Sequence, residues 1–172
     1  MKGPRVSDTS GLRRLSQTFT FDGADVDDVA RVLAEEPLVG PNSVFGNKKV
    51  KKAGSAGAVR RLEGFEPAPV PLLRFDVELR QEPTDDGVQV LVEFSQPARH
   101  RPYLAGQFVW LLSAGGHGAV LDEEINTPTA LEIVDRPLCG HRFSIRRWLF
   151  FAGGHQRLMA EATANIRALL DG

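Results

Sequence analysis

The chain has little of the chemistry that usually identifies a function. It contains one cysteine, Cys139, so it cannot form an internal disulfide. Its formal net charge is −1, which gives no overall field to attract nucleic acid or an anionic membrane. No apolar run approaches the roughly 20 residues that cross a bilayer, and residues 1–17 lack the apolar stretch of a secretory signal. We therefore expect a cytoplasmic protein with no nucleic-acid partner and no stable membrane insertion.

Motifs for metals and phosphates are also missing. The chain has four histidines: His100, His117, His141 and His155. They do not have the spacing of a zinc site. The glycines in residues 114–118 and 152–154 lack the G-x-x-x-x-G-K-[ST] arrangement of a phosphate-binding loop. We predict no metal and no cofactor, and the sequence identifies no catalytic residue.

What remains is the composition of one ordinary globular domain. The chain has 172 residues, of which 42% are hydrophobic and 25% charged. That length and balance are sufficient for one well-packed core. The excess of Arg, Ala, Gly and Val over Lys, Asn and Ile is typical of a high-GC bacterial genome. We predict a flexible N-terminus over residues 1–12 and a single domain over residues 13–172.

Hydrophobic periodicity predicts a strand, a helix and then an antiparallel meander. Alternation predicts the first strand over residues 13–22, and Asp25 is the expected N-cap of a helix over residues 26–36, which Pro37 ends. The remaining predicted strands cover residues 48–52, 57–65, 72–81, 88–94, 103–113 and 119–126. Their turns are AGSAG (53–57), PTDDG (83–87) and AGGHG (114–118).

The C-terminal part predicts a strand, a glycine break and a long amphipathic helix. Residues 127–140 predict either a short helix or an edge strand. HRFSIRRWLFF (141–151) alternates with the period of a strand, and AGG (152–154) then separates it from a helix over residues 155–170. The apolar positions of that helix recur on one face, so the helix needs a surface to cover, and the sheet is the surface available.

Two stretches of this order resemble a known family. GQFVWLLSAGGHGAVLDEEI (106–125) is similar to its tryptophan-bearing strand, Gly-Gly turn and answering strand. RFSIRRWLFFAGGHQRLMAEATANIRALL (142–170) is similar to its last strand and gripping helix. The chain thus resembles the START-like (SRPBCC) superfamily, the polyketide cyclase/dehydrase and lipid-transport group. The resemblance implies an α+β helix-grip fold, in which a curved antiparallel β-sheet wraps around a long C-terminal helix and a short helix follows strand 1.

The resemblance also implies a cavity between sheet and helix that binds a hydrophobic small molecule, such as a lipid or a polyketide. The apolar residues predicted to line it are Phe75, Val77, Val90, Val92, Phe108, Trp110, Leu121, Phe143, Ile145, Met159, Ala162 and Ile166. The alternative is that these side chains fill a closed core.

Polar residues on the same faces carry more information, because an unpaired buried charge is costly. They are Gln17, Glu123, Arg147 and His155. We place Glu123 and Arg147 on neighbouring strands as a charged pair. Such a pair either orients the polar head of a ligand, or acts as acid and electrostatic clamp in a cyclisation or dehydration, or is a structural ion pair.

A cluster of basic residues occupies the first predicted hairpin: Lys48, Lys49, Lys51, Lys52, Arg60 and Arg61. It lacks the interleaved aromatics that stack on bases, so we favour a solvated hairpin whose lysines protect a sheet edge. The favoured function is binding or transport of a hydrophobic small molecule without catalysis. A polyketide cyclase/aromatase-type enzyme and a protein-interaction module with a filled core remain as alternatives, and the sequence does not predict the oligomeric state.

Overall fold

The computed structural model describes residues 14–66, 74–95, 105–126 and 145–172, which contain seven strands and two helices. In chain order these are β1 (Arg14–Asp22), α1 (Val26–Glu35), β2 (Lys52–Ala56), β3 (Val59–Phe65), β4 (Phe75–Thr84), β5 (Gly87–Ser95), β6 (Ala105–Ala114), β7 (Gly118–Asn126) and α2 (Ile145–Leu170).

The strands form one antiparallel sheet in the order β1-β7-β6-β5-β4-β3-β2. Strands β2 to β7 pair consecutively as a meander, and β1 returns to pair with β7. Among the described strands, β1 and β2 are therefore the outermost two. This arrangement confirms the predicted antiparallel sheet, the early helix and the long C-terminal helix of a helix-grip fold.

Helix α1 forms where its capping signal predicts. The Asp25 carboxylate accepts a 2.8 Å hydrogen bond from the backbone N–H of Asp28, which satisfies one free donor of the first turn. The C-terminal end of α1 is capped by a side chain from the sheet. Arg60 of β3 donates to the carbonyl oxygens of Leu33 and Glu36 at 2.9 and 2.7 Å. Burial of that guanidinium lowers the pKa of Arg60 from its ordinary value.

Residues 37–49 connect α1 to the sheet through turns, and this stretch contains no helix. The backbone N–H of Phe45 donates to Leu38 at 2.8 Å and holds the loop closed. Lys48 Nζ contacts both carboxylate oxygens of Glu161 at 2.8 and 2.6 Å, and Asn165 Nδ2 donates to the Val44 carbonyl at 3.1 Å. The loop is therefore fastened to α2 by side chains.

The turn of the first hairpin was predicted at the wrong residues. AGSAG was expected to turn, but Lys52–Ala56 is strand β2, and the connection to β3 is Gly57–Ala58. Gly57 has φ 59, a conformation that glycine adopts without steric cost in a two-residue hairpin turn. The predicted strand at 48–52 is reduced to an isolated bridge between Lys49 and Glu66. Small residues have low strand propensity, so β2 exists because β3 pairs with it.

PTDDG also turns later than predicted. Pro83 and Thr84 belong to β4, and the turn is Asp85–Asp86. Strand β3 stops pairing with β4 at Arg80, so the missing N–H of Pro83 interrupts no ladder on that side.

The predicted final strand at 141–151 is wrong from Ile145 onward, because α2 already begins there. Residues 141–144 and the undecided segment at 127–140 lie outside the described residues. Ile145, Trp148, Leu149 and Ala152 have the i, i+3, i+4, i+7 spacing of a helix, which a short alternating run does not exclude. Two glycines in the middle cost about 1 kcal/mol each relative to alanine, which a 26-residue helix packed on a sheet can absorb.

Candidate functional site

A buried carboxylate lies on the inner face of the sheet. Glu123 of β7 is 1% exposed, although its neighbours Asp122 and Glu124 are exposed. Its backbone pairs with Gln17 of β1 on one side and with Trp110 of β6 on the other. Directly opposed residues point to the same face, so these three side chains form one row across three strands.

The row is joined by hydrogen bonds. Gln17 Nε2 is 2.5 Å from Oε1 of Glu123, and Trp110 Nε1 is 2.6 Å from Oε2. An indole nitrogen can only donate, so Oε2 must accept from Trp110.

Helix α2 completes the cluster with His155. Its Nε2 lies 2.9 Å from both oxygens of Glu123, and both side chains are buried. Because Glu123 accepts from its other partners, we assign a hydrogen to Nε2, which makes the imidazole a donor to the carboxylate. Glu123, Gln17, Trp110 and His155 are called the polar cluster below. This cluster links the helix to the sheet through hydrogen bonds in addition to apolar packing.

Three side-chain donors reach the carboxylate. Each oxygen of Glu123 receives two contacts, because Nε2 of His155 lies at the same distance from both oxygens. The described partners are one indole, one amide and one imidazole. Chemically, the carboxylate can hold the imidazole of His155 in one orientation and one tautomer, as a general acid or base requires.

Aromatic rings continue from the polar cluster across the sheet. Ring centroids are separated by 5.7 Å between Phe75 and Phe94, 5.9 Å between Phe94 and Phe108, and 5.6 Å between Phe108 and Trp110. The His155 imidazole meets the Phe108 ring edge-on at 5.0 Å. The polar cluster therefore stands at the end of a row of four aromatic rings.

The structure buries most of the residues predicted to line this region. The buried ones are Phe75, Val90, Val92, Phe108, Trp110, Leu121, Glu123, Met159, Ala162 and Ile166. Val77 is partly buried and packs against them. Phe143 lies outside the described residues, while Ile145 and Arg147 belong to the start of α2. Burial places these side chains in the interior and leaves their contact with a ligand as a prediction.

The predicted placement of Glu123 and Arg147 on neighbouring strands is wrong. The neighbours of β7 are β1 and β6, and Arg147 lies on a helix. The alternation that put Arg147 on a strand is too short to exclude helical spacing. In the described residues, the basic side chain that contacts Glu123 is His155, which the sequence placed on the inward face without a partner.

Sequence reasoning did not connect Trp110 with Glu123, although a signal was available. The AGGHG turn places Ala114 opposite Ala119, and counting outward from that pair places Trp110 opposite Glu123. Phe94 has the same phase on β5 as Val90 and Val92 but is not among the residues predicted to line the cavity. Its ring contacts both Phe75 and Phe108.

The basic hairpin has a different character. Arg61 Nε is 2.6 Å from Glu78, and Lys52 Nζ is 3.6 Å from Glu63, so acidic residues of the same sheet face these cations. Hydrogen bonds from Arg61 and Arg80 lower the pKa of Glu78 from its ordinary value. Lys52 and Arg61 are therefore solvated cations with local acidic partners, whereas Lys48 and Arg60 bond α2 and α1.

Within the described residues, no three His, Cys, Asp or Glu side chains group closely enough to hold a metal ion. Neither described helix is long and apolar enough to cross a membrane.

Several solved structures are similar to this chain over nearly its whole length. The Zhui aromatase/cyclase from Streptomyces sp. R1128 is 15% identical, with 93% of this chain and 94% of that chain covered and a TM-score of 0.53. A protein from Nitrosomonas europaea is 16% identical, with 95% and 97% covered and a TM-score of 0.53. An uncharacterised protein from Rhizobium leguminosarum is 12% identical, with 93% and 95% covered and a TM-score of 0.54.

No protein-family model and no curated protein matches the sequence. At identities of 12 to 16% the likeness to the solved structures concerns the fold. The element order, the single antiparallel sheet and the long C-terminal helix agree with it. The chain therefore has the helix-grip fold that these solved structures share.

Proposed function

We propose that the protein binds a hydrophobic small molecule between the sheet and α2, with the polar cluster next to the polar group of the ligand. The observation that carries this proposal is the buried carboxylate of Glu123, which is 1% exposed beside a row of aromatic rings. Apolar rings provide area for an apolar ligand, and a few fixed polar groups provide its orientation.

Stability alone is a weak reason for this cluster. Replacing a buried ionic group by well-packed apolar residues is often neutral or stabilising, because desolvation offsets the attraction between the partners. A purely structural core has no need of a carboxylate held by three side chains. Recognition of a ligand gives such a cluster a use, and the aromatase/cyclase name of the Streptomyces protein with this fold supports a small-molecule ligand.

The experiment begins with native mass spectrometry of protein purified from its host, in which a bound small molecule adds its mass to the chain. A long-chain fatty acid and anilinonaphthalene sulfonate are then titrated while tryptophan emission is recorded. Because the Trp110 indole donates to Glu123 inside the cluster, ligand entry is expected to shift its emission.

The chain offers a matched pair of variants, since it has two tryptophans, Trp110 and Trp148. Trp110→Phe should remove most of the spectral change, and Trp148→Phe should retain it. A protein that carries no added mass and responds to no compound of a broad apolar panel is a filled-core interaction module instead.

An acid–base enzyme is the second candidate, and the His155–Glu123 contact is the observation that favours it. Dehydration of a β-hydroxy ketone removes a proton next to the carbonyl and releases the hydroxyl group as water, with a conjugated enone as product. An imidazole fixed by a carboxylate can accept the first proton and return it to the leaving hydroxyl group.

The test of this candidate uses an aromatic β-hydroxy ketone and follows enone absorbance. An enzyme should lose turnover in Glu123→Gln and His155→Gln while both variants still bind the compound, since catalysis depends on interactions that strengthen in the transition state. A carrier should bind the compound and show no turnover in the wild type.

A further inference from the structure

Gln17 is the member of the polar cluster that reaches towards solvent. It lies on β1, the outermost of the seven described strands on this side of the sheet, directly opposite Glu123. Its residue is partly exposed, whereas Glu123, Trp110 and His155 are buried. Gln17 is therefore the member of the cluster with the most contact with solvent.

The contact with Glu123 fixes which way the Gln17 amide faces. The carboxylate accepts from the donor-only indole of Trp110, so it presents acceptors to its surroundings. Gln17 must turn Nε2 towards it, at 2.5 Å from Oε1 of Glu123. A flipped amide would place its oxygen against a carboxylate oxygen and lose the hydrogen bond.

The amide oxygen of Gln17 is consequently turned away from Glu123 as an acceptor. In the part of the chain that the structure describes, no side chain or backbone group donates to it. Glu123 itself is 1% exposed and already accepts from three side chains, so its oxygens are not accessible from solvent. The accessible acceptor of the cluster is therefore on Gln17.

We infer that Gln17 determines ligand specificity by accepting a hydrogen bond from a hydroxyl group of a hydrophobic ligand. This inference rests on the proposed function and narrows its ligand class to hydroxylated apolar molecules, such as phenols and alcohols. The polar cluster sets the orientation of the Gln17 amide. Trp110 and His155 donate to Glu123, and Glu123 in turn accepts from Nε2 of Gln17. The amide oxygen of Gln17 is then available to the hydroxyl group of the ligand. Discrimination arises because a ligand without the hydroxyl leaves that oxygen unpaired once water is excluded.

The test compares β-naphthol with its methyl ether, which has a similar apolar body and no donor. Dissociation constants of both are measured by calorimetry for the wild type, Gln17→Leu and Thr18→Val. The wild type should prefer naphthol about five- to tenfold, the ratio expected for one net hydrogen bond. Gln17→Leu should bring the ratio close to one. Thr18→Val alters the neighbouring outward side chain, which bonds Asp122, and should keep the wild-type ratio.

Gln17→Leu also removes a hydrogen-bond donor from the buried Glu123, which could destabilise the fold. A second variant therefore tests position 17 while keeping a hydrogen bond between positions 17 and 123. The exchange of Gln17→Glu together with Glu123→Gln restores one amide–carboxylate hydrogen bond with reversed polarity and keeps an acceptor at position 17. It should retain the preference for naphthol. An exchange variant that binds both probes equally would overturn the inference.

The outcomes separate this inference from the proposed function. If both probes bind and Gln17→Leu leaves their ratio unchanged, Gln17 does not select the ligand, and the binding function stands. If Gln17→Leu weakens both probes equally, Gln17 acts only by supporting Glu123, and the inference is again wrong. If the wild type binds neither probe nor any other apolar compound, the proposed function fails and the inference fails with it.

Discussion

The two ends of the sheet are built on opposite principles. At the β1–β7–β6 end, Glu123 is buried and bonded to side chains from two other strands and α2. At the other end, all five residues of β2 are exposed, and its pairing with β3 is the contact that defines it as a strand. One end is held by side chains and burial, and the other by backbone hydrogen bonds.

This difference shows where a change of side chain has consequences. Beneath α2, the polar side chains of Glu123, Trp110 and His155 are buried and must find partners in the protein, so the loss of one partner leaves others unsatisfied. On the exposed side chains of the β2–β3 hairpin, water replaces a contact that is lost. Sensitivity to substitution should therefore fall steeply from β7 to β2, and three matched comparisons test this gradient.

The largest effect is expected at Glu123. Glu123→Ala leaves the donors of Gln17, Trp110 and His155 without their acceptor, and the free energy of unfolding should fall by about 3–5 kcal/mol. Glu93→Ala removes an exposed carboxylate from the neighbouring part of the sheet and should change stability by less than about 0.5 kcal/mol. Urea unfolding followed by circular dichroism measures both. Similar losses in the two variants would show that the polar cluster does not stabilise the fold.

A smaller effect is expected from glycine substitutions at the two ends. Gly118, at the start of β7, has φ 156, and an added Cβ would lie 2.1 Å from the Phe21 carbonyl oxygen. Gly118→Ala should cost at least about 1–3 kcal/mol, the usual range for strained backbone. Gly54 of β2 has no atom within 4 Å of an added Cβ. Gly54→Ala should be neutral or raise the melting temperature slightly, because it restricts the unfolded chain. A lower melting temperature for Gly54→Ala than for Gly118→Ala would contradict the gradient.

The smallest effect concerns pH at the hairpin. Hydrogen bonds from Arg61 and Arg80 lower the pKa of Glu78 in the folded protein, so its ionised form stabilises the fold above its ordinary pKa. This contribution is lost as the pH falls through the lowered pKa. Glu78→Gln should therefore reduce stability by about 0.2–1 kcal/mol near neutral pH and converge with the wild type in acid. The control is Glu63→Gln: it removes a longer and more exposed contact, 3.6 Å from Lys52, and should cost less at neutral pH. Melting temperatures across a pH series decide between these profiles.

Much of the fold follows from local sequence. Alternation along β4 and β5 identifies the inward face, and Phe75, Leu79, Val90 and Val92 are buried as that phase requires. The Asp25 cap and Pro37 delimit α1 within one or two residues. These features depend on near neighbours in the chain, where period and capping chemistry act directly.

Boundaries that depend on distant partners were predicted less well. The run from Ile145 to Phe151 satisfies both a strand period and a helix period, and only its place in the complete structure selects the helix. The residues of β2 have little strand propensity, so their state depends on β3.

The site divides in the same way. Sequence phase alone placed Gln17, Glu123 and His155 on the interior side, since one residue's orientation follows from its neighbours in a strand or helix. Only the tertiary structure brings these three side chains into contact. Strand β1 pairs with β7 across about a hundred intervening residues, and α2 places His155 at 2.9 Å from Glu123. A hydrogen bond requires a particular register between elements distant in the chain, and periodicity carries no information about that register.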